Sequence, residues 1–171
     1  MPIVVMGVSG SGKSTIAAAL AARVGGTFLD ADDFHPPANV AKMRAGVPLT
    51  DEDRMPWLAQ VADAAVAAEQ RNGPAVVACS ALRRIYRDAL RDVSPGMFFV
   101  QLDGSAELLA QRIGARTDHF MPASLLDSQL ALLEPLGPDE RGAIVAIDAA
   151  PAEIVEAAFS RWVGATGPRD R

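Results

Sequence analysis

The stretch from Gly7 to Thr15, Gly-Val-Ser-Gly-Ser-Gly-Lys-Ser-Thr, constrains this chain more than any other feature of its sequence. It fits the pattern G-x-x-x-x-G-K-[ST]. The apolar run 2–6 before it suits a buried parallel strand, and the Ala/Leu-rich run 16–24 after it favours a helix. Together, a strand, a glycine turn and a helix N-terminus direct backbone N–H groups and a helix dipole at one point. The sequence therefore predicts a site for a nucleoside triphosphate.

This phosphate loop, residues 7–15, predicts roles for its side chains. We expect Lys13 to reach the β- and γ-phosphates and the Ser14 hydroxyl to bind Mg²⁺. The residues expected to contact the nucleotide are Gly7, Ser9, Gly10, Ser11, Gly12, Lys13, Ser14 and Thr15.

Composition limits the class of protein. A chain of 171 residues, half of them hydrophobic, is typical of one globular domain. The net charge of −5 argues against nucleic acid or an anionic membrane as a partner. No apolar run is long enough to span a bilayer, and no signal-type segment precedes the first strand. Because the single cysteine, Cys79, excludes an internal disulfide, we expect a cytoplasmic protein.

Strand-like and helix-like segments alternate along the chain. Further strands are predicted at 27–29, 75–79, 97–102 and 143–147, and further helices at 38–44, 51–71, 81–91, 105–113, 125–133 and 151–163. This alternation predicts an α/β fold, a central parallel sheet of about five strands covered by helices on both faces. We expect one P-loop domain over residues 1–163 and a flexible C-terminal tail over 164–171. The polar stretch 112–138 interrupts the alternation, which predicts an inserted lid at about 112–128.

Carboxylates follow the second predicted strand. Asp30 and Asp32 lie where ligands of such sheets bind, at the carboxyl end of a strand. One carboxylate can hold water on Mg²⁺, for which we assign Asp30, while Asp32 accepts a proton from a substrate hydroxyl. The alternative is a solvated acidic turn, and Asp33 fits that description.

Cationic side chains occur where the acceptor pocket is expected. They are Lys42, Arg44, Arg54, Arg83, Arg84 and Arg87. Most exposed Lys and Arg side chains are merely solvated, but Arg54 stands beside Pro56 and Trp57. An arginine held against an aromatic ring is well placed to bind a carboxylate through two hydrogen bonds.

The two histidines are candidates for polar contacts to substrate or phosphate. His35 precedes two prolines after the acidic strand end, and His119 lies in the predicted lid. A structural role is the alternative for each, and a zinc site is not indicated because further ligands are lacking.

Several blocks of the sequence resemble the gluconokinase family. In chain order they are the phosphate loop, 30–36 (DADDFHP), Asn39 with Lys42-Met43, 46–58 (GVPLTDEDRMPWL), 79–88 (CSALRRIYRD), 116–120 (RTDHF), Ser128-Gln129 and Glu134-Pro135. The resemblance covers roughly residues 1–150. The family usually has glycine at positions 31 and 118, where this chain has Ala31 and Asp118.

The resemblance implies phosphorylation of D-gluconate by ATP on its terminal hydroxyl, with Mg²⁺. It implies a fold similar to shikimate and adenylate kinases, a lid that closes over ATP, and a possible homodimer. The residues implied for catalysis are Lys13, Asp32 and Arg116. Those implied for ATP in the lid are Arg112 and Arg116. Those implied for the substrate are Asp32, His35, Lys42, Arg54, Arg84, His119 and Gln129.

Two other functions remain open at this point. A related small-molecule kinase, such as a shikimate kinase, would suit the Asp30 and Asp32 pair equally well, but would not be expected to carry the blocks around His35 and Arg54. A nucleotide-dependent switch is the second, although the chain lacks the Asn-Lys-x-Asp motif that binds guanine.

Overall fold

A computed structural model describes residues 1–115 and 123–167 of the chain. The strands are β1 (Ile3–Met6), β2 (Thr27–Asp30), β3 (Ala75–Ala78), β4 (Phe98–Asp103) and β5 (Gly142–Ala146). The helices are α1 (Lys13–Val24), α2 (Pro37–Arg44), α3 (Asp51–Asn72), α4 (Arg84–Val93), α5 (Ala106–Gly114), α6 (Ala123–Leu132) and α7 (Pro151–Thr166). A 3₁₀ turn, Ala31–Phe34, follows β2.

The strands form one parallel sheet in the order β2-β3-β1-β4-β5. Strand β1 lies at its centre, where Val4 is opposite Val77 of β3 and Phe99 of β4. The phosphate loop leaves the carboxyl end of β1, so it lies at the middle of the edge where ligands bind. The predicted fold class is confirmed.

Side chains of β1 alternate between the two faces of the sheet, and each face has its own core. Ile3 and Val5 pack in one core with α1, α5, α6 and α7. Val4 and Met6 pack in the other with Trp57 of α3 and with α4. Both faces of the central strand are therefore buried, which is typical of parallel sheets. Within the described residues, every helix is too short or too polar to cross a membrane.

Most helix limits follow the sequence, with two corrections. Thr50 caps α3 in a capping box with Asp53, and Ser105 caps α5. Helix α4 begins at Arg84 and not at Ala81, because the backbone of Ala81 is left-handed (φ 41°) and cannot belong to a right-handed helix. Helix α7 runs to Thr166, so residues 164–166, expected in the tail, are helical.

Candidate active site

The glycines of the phosphate loop are required by its geometry. Gly12 caps α1 with a left-handed backbone (φ 89°). A Cβ on Gly7 would lie 2.8 Å from Oγ of Ser11, and one on Gly10, whose φ is 82°, would lie 2.8 Å from Cγ1 of Ile113. Larger residues would therefore distort the loop and turn its N–H groups away from a bound phosphate.

The side chains of Lys13 and Ser14 bring an ammonium group and a hydroxyl to the start of α1. The Nζ of Lys13 donates to the carbonyl oxygen of Val8 at 3.1 Å, which holds the ammonium group over the loop. The Oγ of Ser14 donates to Oδ2 of Asp30 at 3.1 Å. The structure therefore brings together the hydroxyl and the carboxylate that the sequence assigned to Mg²⁺.

The oxygen pair of Ser14 and Asp30 fits a magnesium ion. Mg²⁺ prefers oxygen ligands and is usually held by one or two carboxylates together with substrate phosphates. Among residues 1–115 and 123–167, no group of three or more His, Cys, Asp or Glu side chains could hold a metal. A metal here would therefore depend on this pair and on phosphate oxygens.

Asp32 lies on the 3₁₀ turn after β2. Its backbone N–H donates to Oδ1 of Asp30 at 3.1 Å, so Asp30 fixes the turn as well as facing Ser14. Desolvation and then the like charge of Asp30 raise the pKa of Asp32. The side chain of Asp32 is nevertheless 86% exposed, so a substrate hydroxyl can reach its carboxylate.

Arg54 is held against an aromatic ring, but the ring differs from the one expected. Its guanidinium carbon lies 5.5 Å from the ring centre of Tyr86 on α4, and Arg83 lies 5.4 Å from the same ring. The Nε of Arg54 donates to the carbonyl oxygen of Leu49 at 3.4 Å. Sequence analysis missed Tyr86, because the packing of α3 on α4 leaves no local signal in the chain.

Lys42 and Arg84, two of the expected substrate contacts, form ion pairs with other residues. The Nζ of Lys42 lies 2.7 and 2.8 Å from the carboxylate oxygens of Asp53. Arg84 forms two hydrogen bonds with Asp139, at 3.0 and 2.7 Å. A substrate carboxylate would have to compete with these carboxylates, so Arg54 is the better placed cation.

Gln129 contacts the phosphate loop, which its expected role did not include. Its Oε1 accepts from the backbone N–H of Ser9 at 2.6 Å and so joins α6 to the loop. Arg112, expected to contact ATP, donates from Nη2 to the carbonyl oxygen of Ile147 at 2.6 Å. The lid residues Arg116, Asp118 and His119 lie outside the described residues.

Sequence analysis also missed a buried ion pair behind the site. Arg87 is fully buried and donates from Nε and Nη2 to the two oxygens of Glu140, both at 2.7 Å. Arg91 adds a bond to Glu140 at 2.8 Å. Arg87, counted from sequence among the cations of the acceptor pocket, is thus a structural residue that fastens the segment before β5 to α4.

Comparison with known proteins points to kinases. The family described as "AAA domain" matches residues 3–136. A gluconokinase from Gluconobacter oxydans (strain 621H) is 53% identical over 138 residues, which cover 81% of this chain and 78% of that protein. The crystal structure of a gluconokinase from Sinorhizobium meliloti 1021 is 48% identical, with a TM-score of 0.84 over 95% of this chain and 91% of that chain. A shikimate kinase from Aquifex aeolicus shares the fold alone, at 18% identity and a TM-score of 0.59 over 96% of this chain and 97% of that chain.

Proposed function

The chain belongs to the gluconokinase family, and we propose that it transfers the γ-phosphoryl group of ATP to the terminal hydroxyl of D-gluconate. The products are 6-phospho-D-gluconate and ADP. The observation that carries the proposal is the meeting of the phosphate loop with the turn after β2, where Ser14 touches Asp30. This contact joins the phosphate loop to the turn that carries the exposed Asp32, and this supports binding of ATP, Mg²⁺ and the acceptor at one edge of the sheet.

The phosphate loop and the start of α1 bind and orient ATP. Phosphoryl transfer requires mainly positioning and charge stabilisation, which the loop N–H groups and the Lys13 ammonium provide. Mg²⁺, held through Ser14 and by Asp30 through water, would neutralise charge on the β- and γ-phosphates.

Asp32 is the general base in this proposal. An alcohol is a poor nucleophile at neutral pH, and a carboxylate at hydrogen-bond distance orients it and takes its proton as the phosphoryl group transfers. The exposure of Asp32 and its position beside the metal pair support the assignment. Arg54, braced by Tyr86, is the residue we assign to the carboxylate of gluconate.

The lid, the oligomer and the compartment belong to the same proposal. Arg112 and Arg116 contact ATP or its transferring phosphate when residues 112–128 close over the site. To do so, Arg112 exchanges its hydrogen bond with the Ile147 carbonyl for one with a phosphate oxygen.

The proposal of a homodimer rests on the family resemblance alone. A cytoplasmic location is supported by the single cysteine, which cannot form an internal disulfide.

A coupled assay of ADP release tests the function. ATP and Mg²⁺ are supplied with gluconate, other aldonic acids, shikimate or nucleoside monophosphates, and the phosphorylated product is examined by ³¹P NMR. We expect ADP release that depends on gluconate and a phosphate monoester on its terminal carbon. ADP release independent of any acceptor would favour a nucleotide switch, and a preference for shikimate would favour the other kinase.

Lys13→Ala provides the control for that assay. Loss of a preorganised charge from the transition state costs about 10²–10³-fold or more in rate. We expect the variant to lose nearly all activity and to keep its melting temperature. A near-normal rate at saturating ATP and Mg²⁺ would contradict the assignment of the phosphate loop.

A further inference from the structure

The turn that carries Asp32 is held in place by a buried tryptophan. Trp57 of α3 is 3% exposed, and its Nε1–H donates to the carbonyl oxygen of Ala31 at 2.8 Å. Ala31 is the residue before Asp32 and opens the 3₁₀ turn. The bond therefore fixes the backbone of Asp32 relative to α3.

His35 follows the same turn and lies flat on the same tryptophan. The ring centres of His35 and Trp57 are 4.1 Å apart, with 15° between the ring planes. The backbone N–H of His35 also donates to the carbonyl oxygen of Asp32 at 3.4 Å. Only 5% of the His35 side chain is exposed. The ring therefore has little surface for the direct substrate contact expected from the sequence.

The two nitrogens of His35 have different surroundings. Nε2 lies 3.7 Å from Oδ1 of Asp32. Nδ1 is buried, and no group in the described part of the chain forms a hydrogen bond with it. A proton on Nδ1 would be a buried donor without an acceptor, at a cost of about 1–3 kcal/mol. The neutral ring is therefore expected to carry its proton on Nε2, facing the carboxylate.

The environment favours that neutral ring. Burial lowers the pKa of His35, and the positive charge of Arg54 lowers it further, while the charge of Asp32 raises it by less than burial lowers it. Near neutral pH the imidazole then offers one donor, at Nε2, to the side of Asp32.

A hydrogen-bond donor beside Asp32 would fix the orientation of its carboxylate. Its side chain is 86% exposed and can rotate about two bonds, although its backbone is fixed. A base that is misplaced by about 1 Å can lose a factor of 10² in rate. A donor that holds one carboxylate oxygen would leave the other in a defined position.

We propose that His35 is a positioning residue for Asp32, donating from Nε2 to Oδ1 so that Oδ2 faces the acceptor hydroxyl. The inference rests on the proposed function, in which Asp32 is the base. The 3.7 Å separation exceeds a hydrogen bond and must shorten by roughly 0.7 Å when substrate binds, a common change at active sites.

A matched pair of substitutions tests this role. His35→Gln and His35→Asn both remove the ring and its stacking on Trp57. The Gln amide nitrogen can reach the place of Nε2, whereas the Asn amide nitrogen reaches only that of Nδ1. Each variant is compared with wild type in the single-turnover rate of phosphoryl transfer, in KM for gluconate and ATP, and in melting temperature.

We expect His35→Asn to lower the single-turnover rate by about 10- to 100-fold with both KM values nearly unchanged. His35→Gln should recover most of that loss at the same melting temperature. In an Asp32→Asn background, His35→Asn should cost little more, since coupled residues are not additive.

Other results would overturn the inference. Equal single-turnover rates for the Gln and Asn variants would show that His35 acts only through its packing on Trp57. A raised KM for gluconate at an unchanged rate would make it a substrate contact. Independent rate losses at His35 and Asp32 would also reject the inference while leaving the base assignment in place. A wild-type rate for Asp32→Asn would instead remove the proposed base and this inference with it.

Discussion

Asp32 combines a fixed backbone with an exposed carboxylate, and its charge is the property to test. Asp32→Asn keeps the shape and much of the hydrogen bonding but removes the proton acceptor. We expect kcat to fall by about 10²–10⁴-fold, while KM for ATP changes little. Steady-state assays with saturating gluconate measure the effect. Asp33→Asn, which changes another exposed side chain on the same turn, is the control and should keep near-normal activity. Wild-type kcat for Asp32→Asn would require another base.

The planar group of Arg54 makes a separate prediction for substrate binding. Arg54→Lys keeps the charge but loses the fork that binds a carboxylate through two bonds and stacks on Tyr86. We expect KM for gluconate to rise by about 10- to 150-fold, which corresponds to about 1.5–3 kcal/mol, with KM for ATP unchanged. Arg71→Lys, exposed at the far end of α3, should change neither value. A change in KM for ATP alone would place Arg54 on the nucleotide side.

Residue positions in the site could be predicted from the sequence where a local motif determines them. The placement of Asp30 at a strand end and of Ser14 at a helix start predicted that the two face each other, as they do at 3.1 Å; their roles stay predictions. The partners of Arg54 and Arg87 were not predicted, because Tyr86 lies on another helix and Glu140 is 53 residues from Arg87. Such pairs depend on how helices pack, which the spacing of residues does not encode.

Among the elements, the link between α4 and the segment before β5 depends on the pair of Arg87 and Glu140. Glu140→Gln leaves the Arg87 charge buried without its full partner, which costs about 3–5 kcal/mol for pairs of this kind. We expect the free energy of unfolding at pH 7 to fall by that order in urea denaturation. Glu156→Gln, at an exposed ion pair with Arg23, should cost less than about 1 kcal/mol.

The same carboxylate gives the stability a pH dependence. Burial alone would raise the pKa of Glu140, but hydrogen bonds from Arg87, the Gly137 N–H and Arg91 lower it to about 2. In the unfolded chain a Glu side chain has a pKa of about 4.3, so this stabilisation is complete above that value and disappears as pH falls toward 2. The difference in unfolding free energy between wild type and Glu140→Gln should narrow from about pH 5 to pH 2. A constant difference would contradict the role of this ion pair.

Element positions followed from sequence where a cap or a glycine turn marked them. Helix α3 was expected to begin at residue 51 and does so, directly after Thr50 of the capping box. The left-handed backbone of Ala81 displaced the start of α4, and alanine gives no sign of such a conformation. The 3₁₀ turn after β2 was likewise hidden, since the Trp57 bond that holds it comes from a different element.

For the whole molecule, the parallel sheet was predictable and its strand order was not. Alternating strands and helices require parallel pairing with crossovers. The order β2-β3-β1-β4-β5 depends instead on which faces pack together, and it places β1 and its loop at the centre of the ligand edge. Segments from both halves of the sheet therefore end at this edge: Asp32 follows β2 on one side, and Arg112 donates to Ile147, which follows β5, on the other.

Ligand binding should couple the segments on that edge. Gln129 of α6 accepts from the Ser9 N–H of the phosphate loop, and Arg112 of α5 donates to the Ile147 carbonyl. A phosphate bound in the loop would therefore change the surroundings of both contacts. We expect amide hydrogen exchange in peptides covering residues 112–128 to slow when a non-hydrolysable ATP analogue and gluconate bind together, and to slow less with either alone. Peptides from α3 beyond Val61, buried against the opposite face, serve as the control and should not change. Equal exchange across 112–128 with and without both ligands would reject a lid. Full protection by gluconate, with none added by the ATP analogue, would place this segment on the substrate rather than on ATP.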